Sequence, residues 1–485
     1  MKLNKVLESI EILERTGEKP EALEITGICF DSRCCGKGNL FIAQRGTASD
    51  GHKFISLALE NGVAAVLCEE MPSESFNGTI IRVKNTHSAL GIASSNFFNR
   101  PSEKLKVVGI TGTNGKTTTA TLLYRVFRGL GYKCGLLSTI ANYIEEREVS
   151  ATHTTPDPVQ LNRLIAEMVE EGCEFCFMEV SSHSLDQKRI EGIAFEGGVF
   201  SNITHDHLDY HKTFAEYIKA KKSFFDNLPS KSFALTNIDD KNGMVMLQNT
   251  VANKYSYSCR SSANFNCKII ESSLDGMLLN INGKEVWTRF IGGHNAYNLL
   301  AVYSTAILLG ADKEELLIEI SNLLSVAGRL EYIKGGNDIT AVVDYAHTPD
   351  ALENVLKTLK DCAKEIEVVT VFGCGGNRDK TKRPEMAEVS AKYSDRIVVT
   401  SDNPRFEEPD AIIEDIRVGF SAKDLGKTLF ITERREAIRA ALMTAKPGSI
   451  VLVAGKGHEN YQDVKGIKHH FDDKEEIINV FKQNS

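Results

Sequence analysis

The chain has 485 residues, and at roughly 100–200 residues per domain this length predicts about three domains. Its 57 Lys and Arg against 65 Asp and Glu give a net charge of −8, which disfavours nucleic acid as the main partner, because nucleic-acid binders carry basic patches. No apolar run approaches the ~18 residues of a membrane span, and the N-terminus lacks a run of signal-peptide length. We therefore expect no membrane insertion and a cytoplasmic location.

The hydrophobic pattern along the chain predicts an α/β protein of three domains. Residues 1–103 form an N-terminal α/β domain, with strands near 40–43 and 64–67 and a linker at 99–103. Strands alternate with helical segments in the next region, 104–329, which predicts a central P-loop-type domain with a mostly parallel sheet. Residues 330–485 repeat this alternation and predict a C-terminal Rossmann-like α/β domain. Its predicted strands are 339–343, 368–372, 396–400 and 449–453.

The 11 cysteines are scattered along the chain, and only Cys173 and Cys176 form a C-x-x-C pair. No second pair completes a zinc site, and the apolar neighbours of this pair favour a buried strand. We therefore expect free thiols without a disulfide framework, as is usual in the cytosol.

A glycine-rich loop, GITGTNGKTTTA, runs from Gly109 to Ala120 between a predicted strand and a predicted helix. The usual phosphate loop is G-x-x-x-x-G-K-[ST], but Ile110 stands where its first glycine belongs. Backbone N–H groups at such a turn would still bind a phosphate. Lys116 would then reach the β- and γ-phosphates, and the Thr117 hydroxyl would suit Mg²⁺. The alternative is an ordinary strand-to-helix turn.

Two further polar groups follow predicted strands of the central region. Glu179 comes just after one strand, where a carboxylate is a natural Mg²⁺ ligand, although a lone acid is more often solvated. Three histidines and two aspartates lie within residues 204–211, which suggests a metal site. Zinc is possible there, but Mg²⁺ is favoured beside a nucleotide loop.

The last region ends its strands in polar loops, where open α/β sheets bind their ligands. Arg378, Arg405 and Glu459 lie in these loops and could hold a zwitterion, since arginine pairs with a carboxylate and glutamate with an ammonium group. Any one of these loops could also be a simple turn. At the domain boundary, Arg329 could reach a γ-phosphate on domain closure or form a surface salt bridge.

Together these residues resemble the Mur ligase family, ATP-dependent enzymes that add amino acids to the UDP-MurNAc precursor of peptidoglycan. The loop at 111–117 matches the family form T-G-T-N-G-K-[ST], which accounts for its unusual spacing. Residues 31–33 and 50–52 resemble parts of the family's UDP-sugar domain. The resemblance implies ATP contacts from Gly112, Thr113, Asn114, Gly115, Lys116, Thr117, Thr118, Asn295, Arg329, Asp344 and His347.

The same resemblance implies the catalytic and metal-binding residues. The Y-x-x-A-K pattern at 217–221 identifies Lys221 as the lysine that the family carbamylates to N6-carboxylysine, whose anionic head can hold a second Mg²⁺. Glu179 and His207 fall on the family's Mg²⁺ ligands, and Thr117 joins them. The implied catalytic residues are Lys116, Glu179, His207 and Lys221.

Within the family, the chain resembles the members that add the third residue, which act on UDP-MurNAc-L-Ala-D-Glu. The D-N-P-R loop at 402–405 is typical of members that add meso-diaminopimelate, because Arg405 can pair with a second carboxylate that lysine lacks. The implied contacts to the nucleotide dipeptide are Ser32, Thr154, Thr155, Ser181, Gln187 and Arg189. The implied contacts to diaminopimelate are Arg378, Asp402, Asn403, Pro404, Arg405, Gly455 and Glu459.

The implied reaction phosphorylates the D-Glu γ-carboxylate with ATP, after which the amine of diaminopimelate attacks the acyl phosphate and phosphate leaves. We expect a bacterial monomer. Three alternatives remain: a lysine-adding member, a folate polyglutamate ligase, and a nucleotide-dependent binding protein without ligase activity. One departure from the family is Ala327, which replaces a frequent proline before Gly-Arg and could loosen the domain junction.

Overall fold

The computed structural model describes residues 1–46, 49–73, 78–151, 153–204, 206, 208–362 and 365–483. Three β-sheets follow one another along the chain, each covered by helices, so the predicted α/β fold class is confirmed. Among these described residues, no helix is both long and apolar enough to cross a membrane.

The first sheet has the order β1-β5-β4-β3-β2, and only β1 runs antiparallel to its neighbour. Leu40, Ile42 and Leu67 are fully buried on one face, where they pack with the helix that follows β5. The strands are β1 (Ile12–Thr16), β2 (Gly27–Cys29), β3 (Asn39–Ile42), β4 (Ala65–Cys68) and β5 (Thr79–Val83). The helices are α1 (Leu3–Val6), α2 (Ile55–Glu60) and α3 (Thr86–Phe97).

One expectation for this part of the chain was wrong. Cys29 and Cys35 form a disulfide with a Cα–Cα distance of 5.7 Å, whereas the other nine cysteines are free thiols. The turn between β2 and β3 brings the two residues together, a proximity that cysteine spacing alone does not reveal. The segment predicted as a linker connects the first sheet to the second: Pro101–Glu103 forms a 3-10 helix, and the Ser102 hydroxyl accepts a hydrogen bond from the Ala194 N–H at 3.0 Å.

The central sheet has eleven strands in the order β16-β15-β14-β13-β12-β11-β6-β10-β7-β8-β9. Strands β14 to β7 in that order are parallel, and antiparallel strands extend both ends. The strands are β6 (Lys106–Thr111), β7 (Cys134–Leu137), β8 (Asn142–Ile144), β9 (Arg147–Val149), β10 (Phe175–Glu179), β11 (Phe195–Phe200), β12 (Phe233–Asn237), β13 (Asn253–Ser258), β14 (Phe265–Ser273), β15 (Gly276–Ile281) and β16 (Lys284–Thr288).

Helices cover both faces of this sheet, which is why β10 is buried along its whole length. Phe127 lies on the buried face of the first of these helices, with its ring centroid 4.5 Å from that of Phe175. The helices are α4 (Lys116–Gly129), α5 (Pro158–Glu170), α6 (Ser182–Asp186), α7 (Leu208–His211), α8 (Phe214–Asp226), α9 (Gly243–Met246), α10 (Gly293–Leu308) and α11 (Lys313–Asn322).

The third sheet has the order β17-β18-β22-β19-β20-β21, with only β17 antiparallel. Val342 and Val343 alternate between the core clusters on its two faces. The strands are β17 (Glu331–Lys334), β18 (Thr340–Asp344), β19 (Val368–Phe372), β20 (Arg396–Val399), β21 (Thr428–Phe430) and β22 (Ile450–Ala454), followed by the hairpin β23 (Tyr461–Val464) and β24 (Ile467–His470). The helices are α12 (Pro349–Cys362), α13 (Lys382–Tyr393), α14 (Pro409–Arg417), α15 (Ala422–Leu425), α16 (Arg434–Thr444) and α17 (Asp473–Gln483).

Candidate active site

The glycine loop joins the end of β6 to the start of α4, as the sequence predicts. Gly112 and Gly115 both have positive φ angles, of 152° and 86°. A Cβ atom on Gly112 would lie 1.9 Å from Ser201 Oγ, and one on Gly115 would lie 2.5 Å from Asn298 Oδ1. Both positions therefore require glycine, and the loop turns its backbone toward the N-terminus of α4, where an anion is favoured.

Lys116 folds back over this loop. Its Nζ donates hydrogen bonds to the carbonyl oxygens of Gly112 and Thr113, both at 2.8 Å. Burial lowers the pKa of Lys116, and the nearby Glu179 carboxylate opposes that shift. The lysine thus lies at the phosphate end of the loop, while Thr117 and Thr118 are buried in the first turn of the helix.

A segment that follows β11 holds the loop in place. The Ser201 hydroxyl donates to the Asn114 carbonyl at 2.6 Å, and the Asn202 side-chain oxygen accepts from the Asn114 N–H at 2.9 Å. The Thr113 hydroxyl lies 3.0 Å from the Tyr217 hydroxyl and accepts from the Thr204 N–H. The strand pairing brings these segments together because β11 and β6 end level with each other.

Glu179 ends β10, which lies beside β6, and is almost fully buried. Its Oε1 accepts a hydrogen bond from the Thr139 N–H at 2.7 Å, but its buried Oε2 has no hydrogen-bond partner in the described structure. A buried carboxylate oxygen without a donor is suited to a metal ion.

The histidine-rich segment at 204–211 is only partly described. His205 and His207 lie outside the described residues, so the predicted role of His207 has no geometry here. Within the described part, no three His, Cys, Asp or Glu side chains are grouped so that they could hold a metal ion. Mg²⁺ commonly takes only one or two carboxylates with water and phosphate oxygens, so Glu179 alone fits such a site.

Lys221 projects from α8 toward the glycine loop and is almost fully buried. Its Nζ donates to the Gly112 carbonyl at 2.8 Å, the same oxygen that Lys116 contacts. Burial and the Lys116 charge lower the pKa of Lys221 well below its ordinary value. The two lysines are therefore close together, and both contact the same backbone oxygen of the glycine loop.

The residues predicted to bind the nucleotide dipeptide form a cluster beside Glu179, with one exception. The buried Thr155 hydroxyl donates to the Glu179 carbonyl at 2.8 Å and accepts from the Ser181 N–H at 3.1 Å. Arg189 Nη1 donates to the Thr155 carbonyl at 2.9 Å, and the Arg189 guanidinium also bonds to the Gln187 side-chain oxygen.

The other two predicted dipeptide contacts, Thr154 and Ser32, lie in different places. Thr154 Oγ1 accepts from the Thr139 hydroxyl at 3.1 Å, next to the Glu179 contact. Ser32 is the exception: it lies in the N-terminal domain, buried in the 3-10 helix after β2, where its carbonyl accepts from the Asn61 side chain at 3.1 Å.

Two predicted ATP residues flank the first strands of the third sheet: Arg329 precedes β17, and Asp344 ends β18. Asp344 is buried and accepts from the N–H groups of Leu330 and Ala346, both at 2.8 Å, and burial raises its pKa. Arg329 lies over the Tyr345 ring, with its guanidinium carbon 4.7 Å from the ring centroid. Its buried Nε has no hydrogen-bond partner in the described structure, which distinguishes it from a surface salt bridge.

His347 and Asn295 are the remaining ATP predictions. Burial lowers the pKa of His347, and the neighbouring Lys382 ammonium lowers it further. Its Nδ1 lies 2.9 Å from the Tyr345 carbonyl. Asn295 is buried in the first turn of α10 and donates to the Ile291 carbonyl at 2.9 Å.

The predicted amino-acid residues meet at the carboxyl ends of β22, β19 and β20, which end near one another. Asn403 donates to Glu459 Oε2 at 2.8 Å, and its side-chain oxygen accepts from Lys456 Nζ at 3.1 Å. Burial and the Asp402 charge raise the pKa of Glu459. A Cβ on Gly455 would lie 2.7 Å from Asp402 Oδ2, a buried oxygen without a hydrogen-bond partner in the described structure.

Arg405 lies between two other loops. Its φ of 53° is left-handed, and its Nη1 donates to the Gly376 carbonyl at 2.8 Å. Its backbone N–H donates to the Asp463 carbonyl in β23 at 2.9 Å. The chain thus turns sharply after Asn403 and Pro404 and places the guanidinium beside the loop that carries Arg378.

Three family models match this chain in succession. Residues 24–98 match the Mur ligase family, catalytic domain, residues 110–306 the Mur ligase middle domain, and residues 328–457 the Mur ligase, glutamate ligase domain. The chain belongs to the Mur ligase family. The matches fall on the three sheets. Residues 111–117 of the glycine loop lie within the second match, and Arg378, Arg405 and Gly455 lie within the third, which ends just before Glu459.

Individual relatives extend the likeness over the full length of this Mur ligase. A Bacteroides fragilis protein named UDP-N-acetylmuramoyl-L-alanyl-D-glutamate--2,6-diaminopimelate ligase is 54% identical, and the alignment covers 99% of each chain. A solved structure of a ligase with that name is 31% identical, with a TM-score of 0.72, and covers 100% of this chain and 99% of its own. MurF ligase from Thermotoga maritima, solved in complex with ADP, shares the fold at 18% identity, a TM-score of 0.62 and coverage of 94% and 97%.

Several residues of this Mur ligase were not singled out from the sequence. Lys456 is fully buried against Asn403 and Glu459, and its place in the G-K-G-H-E segment could have marked it. Arg383 is fully buried and pairs with Glu407 at 3.0 Å, close to Arg405. No local pattern identifies that pair, because its members lie on different elements.

Proposed function

We propose that this Mur ligase joins meso-diaminopimelate to the γ-carboxyl group of D-Glu in UDP-MurNAc-L-Ala-D-Glu, with hydrolysis of ATP to ADP and phosphate. The observation that carries the proposal is the position of Arg405, whose guanidinium lies beside Gly375 together with Arg378 and the Asn403 carbonyl, while the Asn403 side chain bonds to Glu459. The name of the Bacteroides fragilis relative, at 54% identity over the whole chain, supports the same substrate.

We assign one substrate to each domain. Residues 1–103, which contain Ser32, bind the UDP-sugar, residues 104–329 bind ATP, and residues 330–485 bind the amino acid. The enzyme works as a monomer in the bacterial cytoplasm, on a precursor of peptidoglycan.

The first step is phosphoryl transfer from ATP to the D-Glu carboxylate. The glycine loop binds the phosphates through backbone N–H groups, and Lys116 moves from its own loop carbonyls onto the transferred phosphoryl group. Asn295, Asp344 and His347 bind the nucleoside side, and Arg329 adds positive charge. Catalysis depends on positioning and charge neutralisation, because no side chain has to form a covalent bond.

The dipeptide cluster presents the carboxylate to that phosphate. Thr155 and Ser181 are tied directly to the backbone beside Glu179, so their hydrogen bonds fix the distance from the dipeptide to the phosphate loop. Arg189 is anchored to the same backbone and pairs with a carboxylate of the dipeptide.

Glu179, Thr117 and a carbamylated Lys221 are the described residues that would hold Mg²⁺, and His207 is assigned to the same group. The fit rests on the partnerless Oε2 of Glu179 and on the buried Lys221 amine, whose lowered pKa favours the form that adds CO₂. The lysine nitrogen forms the new bond to carbon and releases a proton, which leaves an anionic carbamate. When bound, Mg²⁺ neutralises charge on the phosphate oxygens.

In the second step the amine of diaminopimelate attacks the acyl phosphate. Glu459 and Asp402 hold the ammonium group of the distal amino-acid end, and Arg405 and Arg378 pair with its carboxylate. Lys456 offsets part of the negative charge, because its ammonium group lies 3.4 Å from Glu459. The pocket therefore matches a zwitterion rather than a simple cation such as the lysine side chain.

Phosphate release tests this proposal directly. The enzyme is incubated with ATP, Mg²⁺ and UDP-MurNAc-L-Ala-D-Glu, in parallel with meso-diaminopimelate, L-lysine or no amino acid. We expect release to be stimulated by meso-diaminopimelate, with kcat/KM at least about tenfold above that for lysine, as one bidentate ion pair predicts. Stimulation mainly by lysine would assign the chain to the lysine-adding members. Stimulation by neither amino acid would reject the proposed substrates.

A further inference from the structure

The first turn of α12 in the C-terminal domain contacts two loops of the central domain through one carboxylate. Asp350 Oδ2 accepts a hydrogen bond from Asn114 Nδ2 at 2.9 Å and another from the Thr204 hydroxyl at 3.3 Å. Asn114 belongs to the glycine loop, and Thr204 is the first residue of the histidine-rich segment. A single oxygen atom of the third domain therefore joins the two loops of the central domain that lie nearest the phosphate site.

Both donors are held within the central domain by their backbones. The Asn114 N–H and carbonyl bond to Asn202 and Ser201, and the Thr204 N–H donates to the Thr113 hydroxyl at 3.0 Å. Only their side chains cross to Asp350. These two side chains therefore serve the contact between the domains, because the backbone hydrogen bonds of the two loops do not involve them.

A second contact lies near the far end of α12. Gly292 precedes α10, and a Cβ atom there would lie 2.5 Å from Cγ2 of Thr358, near the far end of α12. Ile291 is part of the buried core of the C-terminal domain. The close approach fixes one end of α12 beside Asn295, and Asp350 fixes the other end at the glycine loop.

We propose that Asp350 is a positioning residue that holds the C-terminal domain closed over the phosphate site by accepting hydrogen bonds from Asn114 and Thr204. The segment just before Asp350 carries Asp344 and His347, and the neighbouring strand β22 leads to Gly455 and Glu459. Closure at Asp350 therefore brings the amino-acid loops to the phosphate loop. The expected loss of turnover rests on the proposed function, whereas the contact between the domains does not.

Asp350→Ala removes the acceptor while leaving both loops intact. We expect kcat to fall by about 10- to 100-fold, as for hydrogen bonds to a charged group, while the KM for ATP changes by less than about threefold because the phosphate loop is unaltered. Asp350→Asn keeps the size of the side chain, and we expect an intermediate loss. Asp361→Ala is the matched control, since Asp361 is an exposed carboxylate at the other end of the same helix.

A double-mutant cycle tests whether Asp350 acts through Thr204. Thr204→Val removes the hydroxyl but keeps the backbone contacts to Thr113, and we expect it to lower kcat by about three- to tenfold. If the two residues act through one contact, the double variant with Asp350→Ala is no slower than Asp350→Ala alone, within about twofold. Fully additive losses would overturn the proposal.

Small-angle X-ray scattering separates the closure from the chemistry. With Mg²⁺ and a non-hydrolysable ATP analogue, we expect Asp350→Ala to have a larger radius of gyration than the wild type and than Asp361→Ala. Equal scattering curves, or a kcat within twofold of wild type, would overturn the role of Asp350. If the wild type turned over none of the proposed substrates, the proposed function would fail, yet the scattering comparison would still decide whether Asp350 closes the domains.

Discussion

The glycine loop of the central domain and the amino-acid loops of the C-terminal domain are built by different means. The glycine loop is one continuous segment, and its shape depends on two glycines with positive φ angles and on backbone hydrogen bonds from the adjoining 201–204 segment. The amino-acid pocket is assembled from loops after three strands, which hold one another mainly through side chains. The glycine loop is thus defined by its backbone conformation, whereas the amino-acid pocket is defined by the positions of its charged side chains.

This difference predicts which amino-acid substitutions each region tolerates. A phosphate needs N–H groups and positive charge at fixed points, which a backbone turn supplies independently of most side chains. An amino acid is distinguished from a similar one by a few charged atoms, so its pocket depends on particular side chains and on the partners that orient them. Substitutions in the first region should therefore affect all turnover, and those in the second should affect selectivity.

The largest effect should come from Lys116 in the glycine loop. Lys116→Ala removes the ammonium group that lies at the phosphate end of the loop, and loss of one preorganised charged donor typically lowers kcat by about 10²–10³. Steady-state phosphate release with either amino acid measures the loss, and we expect it to be the same for both. Lys219→Ala is the control, because Lys219 is 79% exposed on α8. Activity within about threefold of wild type would show that the loop does not bind the transferred phosphate.

A smaller and selective effect is expected at Arg405. Arg405→Leu should lower kcat/KM for meso-diaminopimelate by about 10- to 100-fold, because one carboxylate loses its charged partner. The value for L-lysine should change by less than about threefold, since lysine has no second carboxylate. The measurement is the ratio of the two kcat/KM values.

Two further variants test whether the charge and the geometry of Arg405 cause the selectivity. Arg405→Lys keeps the charge but loses the two-pronged geometry, so it should recover only part of the selectivity. Arg439→Ala, at an exposed position on α16, should leave the ratio unchanged. An equal loss for both amino acids with Arg405→Leu would assign Arg405 to the shared end of the substrate instead.

The smallest effect on turnover is expected at Glu407, which supports the pocket without facing it. Hydrogen bonds from Arg383 lower the pKa of Glu407 from its ordinary 4.5 to about 2. The pair therefore stabilises the fold fully above about pH 4.5, and the stabilisation is lost as the pH falls through about 2. Glu407→Gln should lower the free energy of unfolding of the C-terminal domain at pH 7 by up to about 3 kcal/mol, and kcat by less than tenfold.

Urea unfolding between pH 2 and pH 7 measures this contribution. The difference between wild type and Glu407→Gln should shrink progressively below pH 4.5. Glu414→Gln is the control, because Glu414 is 63% exposed and forms a surface pair with Arg417 that should contribute less than about 1 kcal/mol. A difference that stays constant down to pH 2 would show that the ion pair is not the source of the stabilisation.

Local patterns predicted the glycine loop and four of the six strands of the third sheet, β18, β19, β20 and β22. The apolar run before Gly109 and the amphipathic segment after Thr117 are strong signals, and the structure has β6 and α4 at those positions. The antiparallel extension by β15 and β16 beyond β14 was not foreseen, since most of β14 is exposed and its exposed residues include both polar and apolar ones. The disulfide between Cys29 and Cys35 was missed because it depends on a turn.

The order of the elements, the backbone shape of the glycine loop and the identity of the candidate site side chains all follow from the sequence alone. These are local properties, set by residue spacing and by the positive φ angles that glycine accepts. Three contacts are visible only in the tertiary structure. Lys116 and Lys221 both donate to the Gly112 carbonyl, and Asp350 accepts a hydrogen bond from Asn114. Arg383 pairs with Glu407, close to Arg405. Such contacts join residues that are distant in the chain, and their energies depend on burial and distance, which no local pattern contains.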